Sequence, residues 1–104
     1  NIIDLEGEQK SSLINIQAPN QSAKIGIRPE HFRVASNGSS KLQGKVRHIE
    51  NLGEHLLCYI NLGKDYEITA KLDVGSEINV NEVIQLDWQK SHEHFFNSSG
   101  ISID

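Results

Sequence analysis

Two apolar alternations separated by a short polar break constrain this chain more than any other feature. Leu56, Cys58, Ile60 and Leu62 recur at every second position. After Gly63-Lys64-Asp65 the alternation resumes with Tyr66, Ile68, Ala70 and Leu72. Period-two spacing puts such residues on one face of a β-strand, so two strands joined as a hairpin are predicted over 56–62 and 66–72. Register can be argued from the same pattern. A two-residue loop would place Leu62 opposite Asp65 and set every apolar residue against a polar one. A three-residue loop pairs Leu62 with Tyr66, Ile60 with Ile68, Cys58 with Ala70 and Leu56 with Leu72. Because a slip of one residue turns a whole face over, the second register is expected.

The rest of the chain has the same character. Leu42 to Glu50 predicts a strand, in which the three-residue interval from Val46 to Ile49 calls for a bulge or bend. Leu52-Gly53 then permits a tight turn. Val83 to Trp88 predicts another strand, with Ile84, Leu86 and Trp88 on one side. Asn81-Glu82 before it forms a turn, where asparagine tolerates left-handed backbone. Short strands are expected at Leu13–Ile16 and Lys24–Arg28, with edge strands at Ile2-Ile3 and Ile101–Ile103. Polar loops cover Gln17–Ser22 and Ser36–Ser40. Many short strands and no helix-period stretch predict an all-β protein, a small barrel or sandwich.

Composition excludes several function classes. The chain has 104 residues, enough for one domain over 1–104. It contains no methionine, so it is expected to be a fragment of a longer protein. No apolar run approaches the ~20 residues that a spanning helix requires, so no direct membrane insertion is expected. The formal charge is −4, and the ten Lys and Arg residues are scattered. A nucleic-acid partner is therefore not expected, since phosphate neutralisation needs clustered cations. The six aromatic residues are few for a base-stacking surface and mostly fall at core parity. The one cysteine, Cys58, allows no internal disulfide and sits on the inward side of its strand, where a thiol is inert packing. His92-Glu93-His94 places two imidazoles on one side of a strand. A catalytic zinc needs three converging ligands and a solvent position, so no metal site is expected. No spacing suggests a Ser-His-Asp arrangement.

The most informative segment is Ile25-Gly26-Ile27-Arg28-Pro29-Glu30-His31-Phe32. A residue preceding proline is driven to extended geometry, so the strand should run through Arg28. Proline then suits the first position of a helical turn and Glu30 its positive end, before Phe32 rejoins the core. This stretch resembles the signature of the C-terminal domain in ATP-binding subunits of ABC importers of the maltose, multiple-sugar and glycerol-3-phosphate types. Further matches follow in order. Gly44-Lys45-Val46 and Ile49-Glu50-Asn51-Leu52-Gly53 look like the family's strand and turn. Val83–Leu86 looks like its late strand, and His94-Phe95-Phe96-Asn97 with Gly100 like its closing segment. Asn1-Ile2-Ile3 resembles the point where the ATPase core hands over. Two departures are a short stretch before Lys24 and Asn81 where a glycine is usual.

The resemblance implies an OB-like small β-barrel of short antiparallel strands with one or two short helical turns, the transport-associated OB (TOBE) domain. It implies a regulatory and dimerisation role without catalysis. Its partners would be a twin copy in the ATPase homodimer, permease subunits reached through the parent chain, and in some members a regulatory protein. Its location would be the cytoplasmic face of the bacterial inner membrane. ATP and Mg would belong to the parent, and no cofactor to this domain. Neither a Gly-x4-Gly-Lys-Ser/Thr loop nor a Leu-Ser-Gly-Gly signature is present. The candidate surface residues are Arg28, Pro29, Glu30, His31, Gly53, His94 and Phe96. Burial statistics place Phe96 in the core rather than at an interface. Arg28 and Glu30 also read as local structure. The alternative implied by related barrels is a binder of small oxyanions such as molybdate or sulfate, through backbone N–H groups and hydroxyls. The Ser and Gly turns supply no concentrated cluster for it.

Overall fold

A computed structural model describes residues 1–6, 12–14, 16–36, 38–63 and 66–103. The predicted alternations become strands. β1 is Ile2–Asp4, β2 Lys24–Gly26, β3 Arg33–Val34, β4 Leu42–Asn51, β5 His55–Gly63, β6 Tyr66–Asp73, β7 Val83–Asp87 and β8 His94–Phe96. One 3-10 turn spans Pro29–His31 and a second spans Lys90–His92. The fold is all-β. Five strands order as β3-β7-β4-β5-β6, and β3 approaches β6 without pairing with it, so this sheet curls into a small OB-like barrel. A second sheet, β1-β2-β8, lies against it, and all pairings are antiparallel.

One core serves both sheets. Ile3, Ile25 and Phe95 of the small sheet join Leu42, Val46, Cys58, Ile60, Ile68, Leu86 and Trp88 of the barrel in a single buried cluster. Phe32 follows the first 3-10 turn into this core and meets the Trp88 ring edge-on, with centroids 5.7 Å apart.

The expected register holds in the central hairpin. Leu56 faces Leu72, Cys58 faces Ala70 and Ile60 faces Ile68. At the loop end it differs. Gly63 faces Tyr66, and Leu62 is an extra residue in a bulge between Asn61 and Gly63. The bulge absorbs the one-residue offset that the loop length alone would impose, so the apolar faces stay together. Gly63 carries φ +148°, and its N–H is held by the Asn61 side-chain oxygen at 3.0 Å. Lys64 and Asp65 of the expected loop lie outside the described residues.

β4 bends at the predicted place. Its pairing with β5 shifts between Val46 and His48, leaving Arg47 as the additional residue, so that Val46 faces Ile60 and Ile49 faces Cys58. Gly44, just before, is a close-approach glycine. A Cβ there would stand 2.5 Å from Ile60 Cγ2 and 2.8 Å from the Asn61 carbonyl oxygen. Asn81 has φ +75°, as expected of the turn before β7, and its N–H donates to the Val46 carbonyl at 2.7 Å.

Three short elements are smaller than expected. The predicted Leu13–Ile16 strand reduces to a single bridge from Leu13 to Leu42, with Asn15 outside the described residues. Ile101–Ile103 reduces to a bridge from Ser102 to Phe96. β2 ends at Gly26, although Ile27 still donates to the Asn1 carbonyl at 2.9 Å and Arg28 is extended, φ −71° and ψ 147°. Segments this short lack the neighbours on both sides that a continuous ladder requires.

Candidate functional site

The break at Arg28-Pro29 divides six of the seven candidate residues into two groups. In the small sheet, Ile3, Ile25 and Phe95 are opposite one another and face the core. Period two then sends the rows on either side outward: Ile2, Gly26 and His94, and Asp4, Lys24 and Phe96. Arg28 and Pro29 close one side of this outer face. The result is an open, largely apolar groove of about 310 Å³ lined by Asn1, Ile2, Gly26, Arg28, Pro29, His94 and Phe96. Gly26 forms its floor, for a Cβ there would lie 3.1 Å from both Ile2 Cδ1 and Phe96 Cε2.

Phe96 is thus not a core residue. It is half-buried on the outer face, and Phe95 takes the core position at 6% exposure. The Ile25–Phe95 pairing decides this, because it fixes the parity of β8. The aromatic count shifts with it. Phe32, Trp88 and Phe95 are buried, while Tyr59, Tyr66 and Phe96 are half-exposed.

Glu30 and His31 turn the other way. The His31 N–H donates to the Arg28 carbonyl at 3.0 Å, closing the turn that proline begins. The His31 ring stacks on His92 of the second 3-10 turn, with centroids 3.7 Å apart and planes inclined by 17°. Its Nδ1 is buried without a hydrogen-bond partner. The Glu30 carboxyl is exposed. A hydrogen bond from its own backbone N–H holds it below the usual range against a small cost of burial, helped by the charges of His31, Arg28 and Lys71.

The expected His92–His94 pair on one strand face is not formed. His92 ends a 3-10 turn and faces His31, whereas His94 lies on the outer face of β8. Among the described residues no group of three or more His, Cys, Asp or Glu side chains converges on a cation position. Gly53 lies apart from both groups, at the tip of the β4–β5 hairpin. Its φ is +93°, and its N–H donates to the Asn51 side-chain oxygen at 2.8 Å.

Two polar centres escape a reading of the sequence. Asp87 is 4% exposed although its neighbours Leu86 and Trp88 are also buried. Arg33 Nη2 and Lys41 Nζ each approach its carboxylate at 3.0 Å, and the Trp88 N–H donates to it at 2.8 Å. Burial pushes this carboxyl up, but the bonds from Lys41, Arg33 and the Trp88 N–H outweigh that and leave it lowered. Lys41 also donates to the Trp88 carbonyl at 2.6 Å, and Trp88 Nε1 donates to Glu93 at 3.0 Å. This cluster pins the second 3-10 turn to the barrel. Asn1 is the other centre. Its side-chain oxygen accepts from the Thr69 N–H at 2.8 Å, and its Nδ2 donates to the carbonyls of Thr69 at 2.8 Å and Ile27 at 3.0 Å. No alternation marks the polar role of either residue, since each acts mainly through partners distant in sequence.

Among the described residues no helix is long and apolar enough to cross a membrane. A sequence model of the TOBE domain family matches residues 25–96, a span that includes all seven candidate residues. The chain is also similar to several longer proteins. The maltose/maltodextrin import ATP-binding protein MalK of Vibrio cholerae is 31% identical over 77 residues, covering 73% of this chain and 21% of that protein. The sulfoquinovosyl glycerol transport ATP-binding protein SmoE of Agrobacterium fabrum is 33% identical over 75 residues, covering 72% and 21%. The sn-glycerol-3-phosphate import ATP-binding protein UgpC of Psychromonas ingrahamii is 30% identical over 91 residues, covering 78% and 24%. The chain spans between a fifth and a quarter of the length of these curated relatives.

Proposed function

The chain belongs to the TOBE domain family, and on that premise we propose that residues 1–104 form the regulatory and dimerisation domain of a longer ATP-binding subunit of a sugar or glycerol-3-phosphate importer. The domain performs no chemistry of its own. ATP and Mg act upstream in the parent, whose permease partners hold it at the cytoplasmic face of the inner membrane. The similarity to import ATP-binding proteins of three related solute types supports this reading.

The observation that carries it is the groove on the outer face of the small sheet. Arg28 and Pro29 are fixed there by the hydrogen-bonded 3-10 turn, beside His94, Phe96 and the half-exposed Ile2. A preformed apolar trough with Arg28 at its rim suits protein contact. The twin domain in the ATPase pair docks on it, and so holds the two subunits together while their catalytic halves open and close. A regulator that contacts this face in only one of those states shifts the balance by its differential affinity.

The test uses the longer subunit that carries this chain. Arg28→Glu together with His94→Glu weakens subunit association about tenfold or more in sedimentation, as expected for like charges placed across a self-complementary contact, while ATP turnover per assembled pair is retained. Unchanged association overturns the assignment of this face. ATP turnover by the 104-residue chain alone overturns the non-catalytic role, and calorimetric binding of molybdate to it supports the oxyanion alternative instead.

A further inference from the structure

Asn1 satisfies both backbone polar groups of two residues, Ile27 just after β2 and Thr69 on β6. Its carbonyl accepts from the Ile27 N–H and its Nδ2 donates to the Ile27 carbonyl. Its carboxamide takes both the N–H and the C=O of Thr69. Thr69 lies on β6, at the end of the strand order, and faces Tyr59 of β5 on its other side. A carboxamide has the donor and acceptor of a peptide unit, so here the side chain stands in for one residue of an added strand. Ile27 immediately precedes Arg28-Pro29, and Asn1 itself lines the groove.

We propose that Asn1 is a conformational latch, coupling the position of β1 to the shape of the Arg28–Pro29 groove. Resting on the function proposed for this face, the latch is what switches the docking surface. With the latch closed, Ile27 is held against the β6 edge and the break after it is fixed. When β1 moves away from the barrel, Thr69 and Ile27 lose their partners together. The turn closed by the His31 N–H then loses one of its supports, the stack of His31 on His92 being another, although Asn1 never touches it. The two events are linked because one residue serves both segments, its Nδ2 reaching the carbonyls of Ile27 and Thr69 together. A polypeptide segment joined to β1 can thereby report its position to the surface that partners read.

Amide hydrogen exchange on the 104-residue chain tests this, with Asn1→Ala and Asn1→Asp as the variants. Aspartate keeps the acceptor for the Thr69 N–H but loses both donors. In both variants the His31 amide exchanges about tenfold faster or more, as it does at Ile27, while Ile60 in the barrel core keeps its protection. Thr69 accelerates in the alanine variant and less in the aspartate variant. If Thr69 alone changes, Asn1 is only an edge cap and the latch is overturned. Equal acceleration at Ile60 in both variants overturns it as well, since Asn1 would then act on global stability. The readout is independent of subunit association, so failure of the latch and failure of the functional reading are separately visible.

Discussion

Lys41 and Asp87 meet at 3.0 Å on the barrel wall, where the ammonium also donates to the carbonyl of Trp88 at 2.6 Å. One cation thus holds both the buried carboxylate and the backbone that leads into the second 3-10 turn. A buried acid with three donors is strongly committed to its charged form.

Replacing Asp87 by Asn should cost about 2 kcal/mol, because Lys41 and Arg33 lose a charged acceptor that neutral amide oxygen replaces poorly. The same group predicts an acid limb. Its carboxyl is lowered in the folded chain relative to an ordinary aspartate near 3.9. The stabilisation is therefore complete above about pH 5, declines as pH falls past about 4, and is gone once pH drops through the folded value. Urea unfolding at pH 7 and at pH 3 should show the two proteins converging at the lower pH. A constant difference would remove Asp87 as the cause.

Gly44→Ala should destabilise by about 1–3 kcal/mol, as for overpacking of a core. The new methyl would press on Ile60 Cγ2 and on the backbone oxygen of Asn61, which cannot rotate away. Thermal unfolding should shift down by about 4–8 °C per kcal/mol. A neutral substitution would mean that β4 and β5 separate freely, contrary to the bulge that fixes their pairing.

Gly53→Ala should cost about 1 kcal/mol for a different reason. Space around Gly53 is open, but its φ of +93° is unfavourable for a side chain. Asn at the same position should recover part of the loss, because asparagine tolerates positive φ better. Equal melting points for Ala and Asn variants would contradict the backbone explanation.

Phe95→Ala and Phe96→Ala should separate sharply. Phe95 fills the core between the two sheets and should cost about 3–5 kcal/mol. Phe96 lines an open groove and should cost about 1 kcal/mol or less, while weakening association of the longer subunit. The reverse order in chemical denaturation would place β8 in the opposite parity.

The alternations in Leu56–Leu72 determined two strands, their face and most of their pairing, because burial of one face leaves only one acceptable register. The Val46–Ile49 interval located a bulge, and Arg28-Pro29 located the turn, since proline restricts its own backbone and that of its predecessor. These are local rules, and local sequence carries them in full. Tertiary structure alone decided the rest. It chose Phe95 over Phe96 for the core, because only pairing with Ile25 fixes parity in a three-residue strand. It parted His92 from His94, joined His31 to His92, and made Asn1 and Asp87 into polar hubs. Each of those depends on what another segment brings alongside, and a side chain's partners across the fold leave no periodic trace in its own neighbourhood.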